Sequence, residues 1–173
     1  MSDGFALSAE GESIDEKTFW RVLGEHASAV AIVTAADDNG PAGFLALSAT
    51  HVTASPPTML VSIDRRTSAL ATVENAGHFA INYVAHENGP LADLFAGKTG
   101  VKGAERFQTE KWVTLSTGAP ILQSALGALD CRLEKTVDLD GTVIAIGRVV
   151  SGVGRGSGDP LIFFRGRYHG LGV

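Results

Sequence analysis

Polar and apolar positions alternate most clearly in the stretch LGALDCRLEKTVDLDGTVIAIGRVVSGVG. Leu129, Cys131 and Leu133 fall on one side of an extended chain while Asp130, Arg132 and Glu134 fall on the other, and Asp140-Gly141 supplies the turn of a hairpin. AVAIVTAADDNGPAGFLAL predicts a second hairpin, reversing at Asp-Asn-Gly, residues that tolerate positive φ. TMLVSID, HFAINYV and PLIFFRGRYHGL read as further strands.

Helical spacing is confined to short segments. SIDEKTFWRVLGEHAS sets Ser13 and Glu16 at capping-box spacing, and Phe19, Val22, Leu23 and His26 then predict a helix with one face docked on the core. RRTSALATVENAG predicts a short helix with Thr67 or Ser68 as N-cap and Gly77 as its stop. ENGPLADLFAG predicts another, and KTGVKGAERFQTEKWVTLSTGAP a glycine-rich connection with little regular structure. About six or seven strands, joined as hairpins and lacking the long alternating helices of a doubly wound sheet, indicate a mainly β fold, an antiparallel barrel with short flanking helices.

GFLALSATHVTASPPTMLVSID breaks the pattern: from Gly43 to Ile63 it holds no Asp, Glu, Lys or Arg and is rich in Ala, Ser and Thr. Two readings fit. Small side chains let another wall of the barrel approach closely, or they leave backbone uncovered, with Ser48 and Thr50 offering hydroxyls to a flat polar ring.

Composition narrows the class. With 173 residues and 45% hydrophobic content the chain is read as one domain, 13–173, after a loose tail over 1–12. The net charge of −5 argues against non-specific nucleic-acid binding, and a single cysteine, Cys131, forbids an intrachain disulfide. No run approaches the ~20 apolar residues of a membrane span and no signal peptide is recognisable, so a soluble cytoplasmic protein is expected.

Catalytic chemistry is scarce. Histidines 26, 51, 78, 86 and 169 show no metal-ligand spacing, so no metal site is expected. SGVGRGSGDP fails the strict dinucleotide fingerprint and follows a hairpin strand, as a surface turn would. VSIDRRTSALATV leads a strand into a helix start behind two arginines; it suits a bound phosphate, and equally an ordinary cap beside solvated arginines.

Taken in order, FWRVLGEHASAVAIVTA, GFLALSATHVTASPPTMLVSIDRRTSALATV, FAINYV, ERFQ, GAPILQSALGALDCRLEK, GTVIAIGRV and PLIFFRGRYHGL resemble the flavin reductase-like family, over roughly residues 15–171. The resemblance implies an FMN-binding split barrel, a homodimer, and NADH- or NADPH-dependent reduction of FMN or FAD for a partner monooxygenase. The alternatives it leaves are a flavin carrier without reductase activity and an oxidoreductase with tightly bound FMN acting on another substrate. By position, Ala46, Leu47, Ser48 and Ala49, with Thr50 beside them, match the segment holding the flavin ring. Ser62, Asp64, Arg66, Thr67 and Ser68 match the region of the ribityl chain and phosphate, and Asn82 matches an Asn near the flavin. His169, with Tyr168 and Arg167, matches the nicotinamide side. Leu45 and Leu47 stand where the family commonly has Thr and Asn, and Thr142 where a His is frequent. His51 stands where Ser is usual.

Overall fold

The computed structural model describes residues 13–173; the expected tail over 1–12 lies outside the described residues. In chain order the elements begin with α1 (Glu16–Leu23), β1 (Ser28–Ala29), β2 (Ala31–Asp37), β3 (Gly40–Ala46), β4 (Thr50–Ala54) and β5 (Pro57–Asp64). They continue with α2 (Ala69–Ala76), β6 (His78–Tyr83), α3 (Gly89–Phe95), β7 (Trp112–Thr114) and β8 (Pro120–Leu122). The last are β9 (Gly127–Leu139), β10 (Thr142–Gly154), β11 (Ile162–Phe164) and β12 (Arg167–His169).

The longer strands form one seven-stranded antiparallel sheet in the order β3-β2-β6-β9-β10-β5-β4. Its two edge strands, β3 and β4, are joined only by Leu47, Ser48 and Ala49. Four residue steps reach at most about 14 Å, so the sheet must roll until its edges approach. They share no ladder, which leaves a seam and makes the barrel a split one. Running the Thr50↔Leu60 register two residues back sets Ser48 opposite Ser62. There the rung is made by a side chain: the Ser48 hydroxyl accepts from Ser62 N at 3.1 Å and donates to Ser62 O at 3.3 Å.

Period-2 positions fill the barrel. Ala31, Val33 and Ala35 meet Met59, Val61 and Ile63, Phe79 and Ile81, and Val143 and Ala145, while Ala69, Leu70 and Val73 of α2 plug one end. Cys131 belongs to this core, and burial pushes its thiol up to about 12, so it is no ready nucleophile. The other face of β2 is also buried, with Ile32 packing on Leu91, Leu94 and Phe95 of α3.

Five local expectations change. The glycine-rich connection contains a 3₁₀ turn (Gly103–Phe107) and the β7–β8 hairpin, which together carry an outer aromatic cluster. In it the Phe107 ring lies 5.2 Å from Phe95 and 4.8 Å from Trp112. Asp130 does point away from the barrel, yet it is fully buried, because the loop after β7 covers it and Thr117 donates to its carboxylate from N (2.8 Å) and from the hydroxyl. The N-cap of α1 is Asp15, accepting from Thr18 N at 2.9 Å, in place of the Ser13–Glu16 box. The apolar face of α1 does not dock on the core: none of its residues is buried, and Phe19, Trp20 and Val22 are 46%, 59% and 61% exposed. The last strand is a hairpin, β11–β12, turning at Arg165 and Gly166, both at positive φ. Among the described residues no helix is long and apolar enough to cross a membrane.

Gly147 sits at a register shift of the β9–β10 ladder, where a Cβ would come within 2.6 Å of Phe79 Cε1 and 3.0 Å of Cys131 Cβ. Gly147→Ala is therefore expected to cost about 1–3 kcal/mol by overpacking. The urea midpoint should fall with an unchanged slope, and a wild-type midpoint would mean that the Phe79 ring yields freely.

Candidate functional site

At the seam between β3 and β4 a cleft of 1110 Å³ opens, lined by Phe44 to Thr50, by Ser62, Asp64, Arg66, Thr67 and Ser68, and by His26 to Ala29. Trp20, Leu23, Phe95, Gly97, Arg106, Phe163 and Gly166 complete its walls. Its size suits a large organic ligand. The folding constraint explains its chemistry. β3 pairs with β2 alone, so one edge of its main chain has no strand partner beside the cleft. The residues there are uncharged, with Ala46, Ser48 and Ala49 small and Leu45 and Leu47 apolar.

Ten of the eleven positions matched to flavin binding line this cleft: Ala46, Leu47, Ser48, Ala49, Thr50, Ser62, Asp64, Arg66, Thr67 and Ser68. Their roles differ from the expectation at several points. The Ser48 hydroxyl is engaged on both sides with the Ser62 backbone, so it stiffens the wall before it can serve a ring. Leu45 packs against the outer core beneath α3, which accounts for an apolar residue there, whereas Leu47 is 38% exposed at the cleft. The two arginines are exposed, as solvated arginines would be, yet each holds a carboxylate. Arg66 grips Asp64 through N (2.8 Å), Nε (3.0 Å) and Nη2 (2.6 Å), and Arg65 pairs with Asp138. The Arg66 hydrogen bonds hold the Asp64 carboxyl down at about 2, so it is ionised at neutral pH. Ser68 makes no side-chain capping bond within α2, which leaves its hydroxyl without that role.

Asn82 is the eleventh position, and it does not line the cleft. It is fully buried: its Nδ2 donates to Ile32 O at 3.0 Å and to Thr34 Oγ1 at 3.2 Å, and its Oδ1 accepts from Leu122 N at 2.8 Å. It ties β6 to β2 and to the β7–β8 flap. His169, Tyr168 and Arg167 are also absent from the lining, although Phe163 and Gly166 of the same hairpin belong to it. Phe163 and Tyr168 are register partners on one face, and His169 lies exposed on the other, its ring 6.2 Å from that of Phe164. His51 is exposed on β4 and outside the lining.

Trp20, His26, Phe95, Arg106 and Phe163 were not picked out as site residues in the sequence. They arrive from α1, the β1 approach, α3, the 3₁₀ turn and β11, with no shared spacing; only the segment ERFQ flagged Arg106. His26 Nδ1 stands 3.0 Å from Ser28 Oγ at the rim.

Because Asn82 satisfies buried main-chain groups, Asn82→Ala is expected to cost about 1–3 kcal/mol, chiefly by orphaning the Leu122 N–H. Ligand affinity of the folded protein should not change. A calorimetric Tm equal to wild type together with weakened flavin binding would return Asn82 to the site.

Residues 23–172 match the family described as flavin reductase like domain. An FMN reductase (NADH), RutF, from Ancylobacter novellus is 38% identical over 165 residues, 95% of this chain and 90% of the relative. HsaB, the reductase subunit of a flavin-dependent monooxygenase from Rhodococcus jostii, is 32% identical over 160 residues, 92% of this chain and 80% of HsaB. The crystal structure of BorF, the flavin reductase component of a bacterial two-component tryptophan halogenase, matches with a TM-score of 0.83 at 25% identity, over 91% of this chain and 98% of BorF. Agreement that runs through the whole barrel, in sequence and in three dimensions, makes this chain a member of the flavin reductase-like family.

Proposed function

We propose that this chain is an NADH- or NADPH-dependent flavin reductase, taking FMN or FAD as its flavin and supplying reduced flavin to a partner monooxygenase. The observation that carries the reading is the uncharged wall from Phe44 to Thr50, led by an edge strand that pairs on one side only, beside a cleft of 1110 Å³. When bound, the flavin supplies the ring that accepts the hydride. Such a transfer asks the protein to stack two rings at ~3–3.5 Å and to aim donors where negative charge develops, with no acid–base side chain required. The residues fit that task. Ser48 and Ser62 fix the wall, the β3 edge faces a planar polar ring, and the Thr67 and Ser68 hydroxyls at the start of α2 suit the flavin's phosphate. Asp64, kept ionised by Arg66, is an acceptor for ribityl hydroxyls.

His169, exposed on the hairpin that also brings Gly166 and Phe163 to the cleft, covers the nicotinamide in this reading, with Tyr168 and Arg167 beside it. A homodimer completes the site: a second copy buries the exposed apolar face of α1, whose Trp20 and Leu23 stand at the cleft wall. HsaB, a monooxygenase reductase subunit, supports the partner monooxygenase, and BorF, the reductase component of a halogenase, supports a two-component arrangement. The same reading makes the protein cytoplasmic, as its nicotinamide co-substrate is.

A steady-state assay crossing NADH and NADPH with FMN, FAD and riboflavin tests the function; absence of nucleotide oxidation with every flavin would refute it. In that assay His169→Ala should raise the KM for NADH severalfold while flavin affinity holds, and an unchanged KM removes His169 from the site. Sedimentation velocity should find a dimer that Trp20→Glu weakens at least tenfold. A monomeric wild type at tens of micromolar would exclude the second copy.

A further inference from the structure

Among the described residues three that line the cleft carry formal charge, Asp64, Arg66 and Arg106, and they do not cancel. Asp64 and Arg66 are bound to each other, which leaves Arg106. Among the described residues no carboxylate forms an ion pair with it. A half-buried guanidinium without a counter-ion is costly to keep, and here it stands in a chain of net charge −5. Its position is fixed by main chain on two sides. Arg106 Nε donates to Val101 O at 2.9 Å and Nη1 to Gly43 O at 3.4 Å, and Nη2 lies 3.6 Å from where a Cβ on Gly97 would sit. Two of the five N–H donors of the fork are thereby engaged, and three remain.

Its place along the wall is also informative. Gly43 precedes Ala46 on β3 by three residues, about 10 Å. Ser68 and Asp64 adjoin the other end of the wall, through Ser62 and its bonds to Ser48. The start of α2 and the Arg106 guanidinium thus reach the cleft from different elements.

We propose that Arg106 binds the diphosphate bridge of a dinucleotide lying in the cleft. The inference rests on the flavin reductase reading, which brings two candidate sources of that chemistry, the nicotinamide dinucleotide and FAD. A diphosphate presents paired anionic oxygens to a planar fork, and a fork already held by Val101 O and Gly43 O loses little freedom on meeting them.

The test compares wild type with Arg106→Gln and Arg106→Lys in two arms, with non-enzymatic rates subtracted. One arm sets NADH against 1-benzyl-1,4-dihydronicotinamide, which has the reacting ring and no phosphate, at fixed FMN. The other sets FAD against FMN with the benzyl compound as donor. Isothermal titration with NAD⁺ and with FAD gives a readout independent of turnover. For Arg106→Gln, a loss of roughly 10- to 100-fold in kcat/KM, matched in Kd, is expected with the dinucleotide. The benzyl–FMN rate should fall severalfold less than the rate with the dinucleotide. Loss with NADH assigns the nicotinamide dinucleotide, and loss with FAD assigns the flavin. Arg106→Lys keeps the charge without the fork and should fall between, so it serves if the Gln variant fails to fold. Equal loss in the benzyl–FMN arm, or unchanged Kd for both dinucleotides, overturns the proposal. A wild type that binds dinucleotides through Arg106 yet oxidises no reduced nicotinamide refutes the reductase reading alone.

Discussion

A seven-stranded sheet whose two edge strands are joined by three residues has to curl until those edges nearly meet. The seam this leaves between β3 and β4 is where the cleft opens, so the barrel's one topological discontinuity and its candidate binding site are the same place. Closure by main-chain rungs is not available there. Beside the seam Ser48 instead extends the β4–β5 ladder with its side chain, bonding both backbone groups of Ser62, and the wall is stiff without being sealed. From Phe44 to Ala46 and from Thr58 to Ile63 the absence of charge follows from burial, whereas Thr50 to Pro57 is mostly exposed and burial does not account for its lack of charge.

The outer layer is held on by polar pins as well as by packing. Asn82 and Asp130 point away from the barrel interior on neighbouring strands, and both are fully buried because the segment from Trp112 to Leu122 folds back over them. Each satisfies main-chain groups of that segment, at Leu122 N and Thr117 N. Phe95, Phe107 and Trp112 then close the layer with edge-on and tilted aromatic contacts. Val101 and Gly103–Phe107 are fixed by this arrangement, and with them the guanidinium of Arg106 at the cleft.

Electrostatically the cleft is simple. Among the described residues of its lining, Asp64 and Arg66 pair with each other near the start of α2, and the Arg106 guanidinium is left over. With little acid–base machinery, the site is built for holding and aligning, the contribution expected of a protein whose reaction passes between two bound rings.

Period and turn chemistry, local properties, determined much by themselves. The two long hairpins, their Asp-Asn and Asp-Gly turns, the glycine stop of α2 and the mainly antiparallel architecture all follow from residues within a few positions of one another. The order of the family-like segments also pointed to the wall and to the Asp64–Ser68 corner, because both are continuous in sequence. What the tertiary structure decided was everything set by partners far along the chain. Asn82 matches a flavin-site residue by position, yet strands fifty and forty residues away in sequence make it a core pin. Asp130 has a solvent-facing position in its strand's alternation, and a loop thirteen residues back buries it. Alternation reports which side of a strand a residue takes, whereas burial depends on what later covers that side. Phe19, Trp20 and Val22 make the converse case: a helical apolar stripe announces that something must cover it, and the fold of one chain leaves it bare.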